Sequence, residues 1–319
     1  MLIGLLSRLG AAVHSRAASS PRTNVYGLAR TLLASATLGT LLTSSSSTLF
    51  DPGLASDRCE GVSSLGLFCL VPPAEAELAR LAAIVGLLVV ASGWRPRVTA
   101  LPHWWITFGF QTATTVPDGG DQLASIVTLL LLPVALGDRR RWHWTPAPER
   151  TAETEFGSSL TAWSALLVIR LQVAGVYFQA SVAKLGREEW ADGTALYYWL
   201  THPQFAAPSW SDAILHPILT TPLGVAAFTW VPLAIEFAIA MGLFLRRRTW
   251  PFLLTAGIAL HLGIAVLMGL TSFALVMIAC LVLHLRLADN AYTLPPFLLN
   301  PRDSLQRRGA RLELARGSS

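Results

Sequence analysis

The sequence predicts an all-α fold: a polytopic transmembrane helical bundle of about eight spans, with the N- and C-termini cytoplasmic. Three observations lead there. Hydrophobic residues make up 53% of the 319-residue chain and charged residues only 13%, with a mean hydropathy of +0.50. A soluble domain carries about 25% charge, so too little polar surface remains to cover a water-soluble globule of this size. The apolar runs are continuous and do not alternate every second residue, which argues against a transmembrane barrel. The basic residues also collect on alternate connections, as the positive-inside rule requires. The net charge of +5 is therefore read as membrane topology. No basic-aromatic patch of the single-strand-binding kind is present, so membrane lipid is an expected partner and nucleic acid is not. No fixed-period repeat is visible.

Crossing ~30 Å of hydrocarbon takes about 20 apolar residues. Residues 1–24 are a cytoplasmic, partly amphipathic lead-in: Arg8 breaks the apolar run and no cleavage site follows. The spans then cover roughly 26–46, 78–94, 98–116, 121–137, 159–185, 222–245, 250–269 and 271–288. The third is the most polar, with His103, Gln111 and several threonines. With the N-terminus inside, every basic residue but Arg58, Arg80, Arg170, Lys184 and Arg187 falls on the inner side or its edge. A one-span error would scramble that pattern. Residues 25–288 thus form the transmembrane domain, and 289–319 an Arg-rich, loosely ordered cytoplasmic tail.

The first outer loop contains Cys59 and Cys69, close together on the oxidising side, and a disulfide between them is expected. It would stabilise the loop by ~3 kcal/mol on the chain-entropy model. Cys280 reads as a small apolar core residue. The second outer loop holds Asp118 and Asp121. Turn and cap chemistry explains both; the other reading places two carboxylates at the outer mouth of a site. On the inner side, the 138–157 loop and Arg246–Arg248 with Trp250 read as interfacial anchors.

The chemistry concentrates between residues 169 and 203. Arg170, Tyr177 and Lys184 are spaced by seven on the fifth span and share one helix face. Lipid rejects such a stripe, so it faces the bundle interior or a wet cavity. Glu236 is the one carboxylate well within a span, and an Arg170–Glu236 structural ion pair is the simplest expectation. Lys184 lies at the outer interface near Arg187 and under Trp190. It is either a snorkelling lysine or, partly desolvated beside a second cation, a base usable at neutral pH. His261 sits mid-span, as a packing residue or as an assistant to that base together with Tyr177. Trp190, Asp192, Gly193, Tyr197 and His202 form a loop facing any substrate. His202, His216 and the neighbouring acids match no metal spacing, so no metal is expected. No phosphate loop, Ser-His-Asp signature or HExxH is present.

Leu171-Gln172-Val173-Ala174, Tyr177-Phe178, Ala183-Lys184-Leu185, Glu189-Trp190, Gly193 to Tyr198 and Leu200-Thr201-His202-Pro203 resemble the core of the HTTM superfamily. That membrane domain is shared with vitamin K-dependent gamma-carboxylases. Asn24 to Arg30, Ala91 to Arg97, His103-Trp104-Trp105, Asp118 to Gln122 and Ser272 to Ala279 extend the likeness over roughly 24–288, where the chain is similar to the SdpB (sporulation-delaying protein B) family. The resemblance implies an integral membrane factor that matures a secreted antimicrobial peptide. Its implied partners are the toxin precursor peptide and a co-encoded maturation protein. It also places Lys184 where the carboxylases use a lysine base on reduced vitamin K. Three departures limit the transfer. Ala183 stands where the carboxylases have a second lysine, no stretch reads as their large extramembrane domain, and Gly120-Asp121-Gln122 replaces a functional histidine. Glutamate carboxylation is not implied. The cofactor, if any, is unknown, and a quinone-dependent enzyme and a non-enzymatic chaperone or scaffold for the precursor both stay open.

Overall fold

A computed structural model describes residues 2–50, 59–146, 152–203, 205 and 207–293. Arg58, Arg150 and the tail from residue 294 lie outside these residues. The described chain is helical, and its β-type pairing is a single isolated bridge between Trp94 and Trp142. A leading helix, α1 (Leu2–Ala17), precedes the bundle. The long helices that follow are α2 (Asn24–Thr43), α3 (Ala76–Ser92), α4 (Pro96–Ala113), α5 (Gly119–Leu130, continued by Leu132–Leu136) and α6 (Ala152–Leu185). Two short outer helices, α7 (Ala195–Thr201) and α8 (Asp212–Leu219), lead into α9 (Pro222–Ala240), α10 (Trp250–Met268) and α11 (Thr271–Leu285). A helix overlaps each of the eight segments singled out in the sequence. Among the described residues, four segments are long and apolar enough to cross a membrane by length and composition: Asn24–Thr43, Phe156–Leu185, Pro222–Leu243 and Arg247–Met268.

Local chemistry sets the boundaries. Thr23 caps α2 by accepting from Val25 N, and Thr221 caps α9 by accepting from Gly224 N. Proline occupies the first turn of α4, α9 and α10, where a missing N–H costs nothing. Pro133 divides α5 from its continuation.

Helix α11 is the centre of the described bundle. Val276, Ala279, Cys280 and Leu283 of α11 are buried among α2, α5, α6 and α10. A helix surrounded by protein need not match the lipid thickness, which accounts for its 15 residues. A second core joins Leu38, Leu41, Leu87 and Phe110 of α2, α3 and α4. The outer loop closes over it with Phe50 and Phe68, and Cys59–Cys69 is a disulfide there.

The inner loop departs from the anchor reading. Asp138 and Arg140 form a buried salt bridge of 2.7 Å, and Tyr26 of α2 donates its hydroxyl to Asp138. Arg140 also donates to the carbonyls of His143 (3.0 Å) and Thr145 (2.6 Å). His143 is fully buried against Gly27 and Gly93. Gly93 has φ +88°, and a Cβ there would lie 2.5 Å from the imidazole. These residues plug the inner end of α2 and α3. Arg22 is likewise internal, donating to Val134 O (3.0 Å) and Ser158 O (2.9 Å). The start of the tail is docked as well: Asn24 exchanges two hydrogen bonds with the Tyr292 backbone, and Asp289 pairs with Arg16 at 3.0 Å.

Candidate functional site

The outer third of α6 supplies two side chains to one cavity. Tyr177 and Lys184 are seven residues apart, two helical turns on one face. Ser181 between them returns its hydroxyl to Tyr177 O at 2.8 Å, so the stripe stays helical. Facing α6, Glu236 of α9 accepts from Lys184 Nζ at 2.6 Å (Oε1) and 2.5 Å (Oε2). The Tyr177 hydroxyl and His261 Nε2 of α10 share a 2.6 Å hydrogen bond in the buried interior. The other ring nitrogen of His261 is buried without a partner, and Phe273 packs on the ring at 5.7 Å. All four polar side chains line a cavity of about 430 Å³ whose remaining wall is mostly apolar.

Residues 190–196 roof this cavity. Trp190 covers Lys184, with the ammonium 5.1 Å from the ring centroid. Its carbonyl accepts from Trp230 Nε1 (3.1 Å), and Leu196 N donates to the buried Thr229 hydroxyl (3.2 Å). Gly193 makes the turn at φ +83°, and a Cβ there would meet Ala226 and Trp230 at 3.1–3.2 Å. Asp192 caps this turn by accepting from Thr194 N (3.1 Å) and its hydroxyl (2.7 Å).

The expected Arg170–Glu236 pair does not form. Arg170 lies 14 residues before Lys184 on the same helix, about 21 Å lower at 1.5 Å per residue. The early turns of α9 rise alongside the roof, through Ala226, Thr229 and Trp230, so Glu236 arrives at the height of Lys184. Arg170 instead stacks its guanidinium 4.5 Å over Trp250 at the opposite end. Lys184 therefore has a carboxylate as its closest charge, while Arg187 is exposed. The ammonium and the carboxylate both line the cavity.

The other candidates disperse. Asp118 and Asp121 form a reciprocal capping box at the start of α5 (2.9 and 3.1 Å), and neither lines the cavity. Tyr197 borders a separate outer pocket with His216, and His202 another with Trp199 and Phe205. Among the described residues no group of His, Cys, Asp and Glu is placed to hold a metal ion. The sequence reading missed the Lys184–Glu236 contact and the Tyr177–His261 bond. Each residue stood out alone, but no local signal set the relative heights of α6, α9 and α10.

Residues 126–288 match the HTTM domain family. The chain is 38% identical over 280 residues to "Uncharacterized protein YitO" of Bacillus subtilis (strain 168), covering 85% of this chain and 88% of that protein. It is 33% identical over 277 residues to "Sporulation-delaying protein SdpB" of the same organism, covering 86% and 85%. No solved structure matches.

Proposed function

The chain belongs to the SdpB-like branch of the HTTM family, and from that membership we propose that it is a multi-pass plasma-membrane factor for maturation of a secreted antimicrobial peptide of the sporulation-delaying type. In this reading the cavity under the Trp190 roof is the working site and faces outward. Its partners are the toxin precursor peptide and a co-encoded maturation protein.

The observation that carries the proposal is the convergence of Lys184, Glu236, Tyr177 and His261 on one apolar-walled cavity. An amine next to a proton acceptor, out of bulk water, is what general-base chemistry needs. In the proposed cycle Glu236 accepts the Lys184 proton, the freed amine removes a proton from substrate in the cavity, and Glu236 then releases its proton to water to restore the ion pair. The Tyr177–His261 pair fixes the wall and offers a second site for proton transfer.

A non-enzymatic chaperone or scaffold is the second reading. It is favoured by the aromatic residues exposed on the outer loops: Tyr198, Trp199 and Trp210. A quinone-dependent, carboxylase-like reaction draws support from the apolar wall of the cavity, but Ala183 and the caps Asp118 and Asp121 weigh against it.

Lys184→Ala and Lys184→Arg separate these readings. Both variants are first shown to reach normal membrane levels, and the precursor is then followed by mass spectrometry in the producing cell. The base role requires maturation to fall in both, with partner binding intact. Complete maturation in both variants removes it.

A further inference from the structure

A second cavity, of about 380 Å³, lies at the opposite end of the bundle, between α1, α6 and α11. Arg16, Arg170, Arg247 and Arg286 converge on it, and the rest of its wall is largely aliphatic. One carboxylate answers them among the described residues: Asp289, on Arg16 at 3.0 Å. Four guanidinium groups and one carboxylate leave three positive charges uncompensated. Arg170 makes no hydrogen bond through its guanidinium to any described residue, and the Nε atoms of Arg170 and Arg286 are buried without partners.

The aromatic contacts show which part of these side chains is free. Arg16 lies 4.0 Å over Trp163, Arg170 4.5 Å over Trp250, and Arg286 3.8 Å over Tyr292. Stacking uses the face of the guanidinium and not its in-plane N–H fork: the fork of Arg170 is unspent, while Arg16 gives one N–H to Asp289 (3.0 Å) and Arg286 one to the Asn290 carbonyl (3.0 Å). An aromatic-braced fork matches a phosphate oxygen pair in bidentate geometry.

We propose that this cavity binds the phosphate headgroup of an anionic phospholipid, with the acyl chains running over the apolar flank of α6. That flank is built for it: Leu167, Val168 and Leu171 are about half exposed beside the cavity. The arginine-rich end is the one that the charge distribution places at the cytoplasmic leaflet, and basic pockets between transmembrane helices are a recurring form of lipid headgroup site. The chain's own tail is the wrong occupant by charge: residues 294–319 carry Arg302, Arg307, Arg308, Arg311 and Arg316 against Asp303 and Glu313.

The test uses the full chain in detergent, mixed with phosphatidylglycerol or phosphatidylcholine and examined by native mass spectrometry. Phosphatidylglycerol should be retained in preference to phosphatidylcholine. Arg170→Gln/Arg247→Gln should weaken that retention on the order of tenfold, while Arg97→Gln, on an exposed arginine remote from the cavity, should leave it unchanged. Equal retention of both lipids, or full retention in the double glutamine variant, overturns the proposal. So does saturable binding of inorganic phosphate by a protein that shows no preference for phosphatidylglycerol, which would mark a soluble-anion site. If the glutamine variant does not accumulate, Arg170→Lys/Arg247→Lys takes its place. It keeps the charge but loses the fork, and unchanged retention in it overturns the bidentate assignment. The readout is independent of toxin maturation, so the lipid site and the outer cavity stand or fall separately.

Discussion

Lys184 and Glu236 satisfy each other in a partly buried setting, with side chains 28% and 10% exposed. Removing one member leaves a charge in a poorly solvated place, so the two substitutions should not be independent. In thermal unfolding of detergent-solubilised protein, Lys184→Ala and Glu236→Gln should couple by ~1–3 kcal/mol. Arg170→Gln and Glu236→Gln should instead be additive to within ~0.5 kcal/mol, because Arg170 stacks on Trp250 far from this carboxylate. Coupling on the Arg170 side and none on the Lys184 side would refute the pairing described here. The stripe of Arg170, Tyr177 and Lys184 was legible in the sequence because a seven-residue spacing fixes a helix face without tertiary information. The partner of Glu236 was not. It depends on where the early turns of α9 sit along α6, and this is set by contacts with a loop 33 to 40 residues earlier, at Trp190 and Leu196.

At the level of elements, the inner plug over residues 138–145 makes its own demand on pH. Burial, then the charges of Arg30 and Arg140, lower His143 from 6.5 to about 3, so the folded chain keeps this imidazole neutral. The unfolded chain protonates it at its ordinary value. Above about pH 6.5 neither state gains a proton and the contribution is complete. As pH falls from there toward 3, the unfolded state takes up a proton that the folded state refuses, and stability drops by ~1.4 kcal/mol per unit. Asp138 adds a loss at lower pH. Burial alone would raise its carboxyl, but the hydrogen bonds and charge of Arg140, with the Tyr26 hydroxyl, hold it below the usual carboxylate range. Its contribution is present above that range and is lost as pH falls through the lower folded value. The difference in unfolding temperature between wild type and His143→Gln should therefore narrow steadily from pH 6.5 to 4. A difference that stays constant over this window would show that His143 is not held neutral. The plug was hidden in the sequence because Arg139-Arg140-Arg141-Trp142-His143-Trp144 has the composition of an interfacial anchor. What distinguishes it is the pair of glycines, Gly27 and Gly93, that make room for the imidazole on helices distant in sequence.

For the whole molecule, two independent lines of physics predict which end faces out. The first is charge: Arg16, Arg170, Arg247 and Arg286 gather at one end, around the second cavity. The second is redox chemistry. α2 and α6 start at the same end, since Arg22 bonds Ser158 and Trp163 bonds the Ser19 carbonyl (3.0 Å). They run in the same direction, so the Cys59–Cys69 disulfide that follows α2 and the Lys184 site at the close of α6 share the other end. A disulfide persists in an oxidising compartment, and positive charge resists translocation. Both predict that Lys184 and its roof lie outside. The chain suits a direct test, because two of its three cysteines are bonded to each other and Cys280 is buried in α11. Glu188→Cys, exposed at the outer turn after α6, should react with a membrane-impermeant maleimide in intact cells. A cysteine at Arg248, on the exposed turn before α10, should react only after permeabilisation. The reverse pattern would invert the molecule and place the outer cavity in the cytoplasm, out of reach of a secreted peptide.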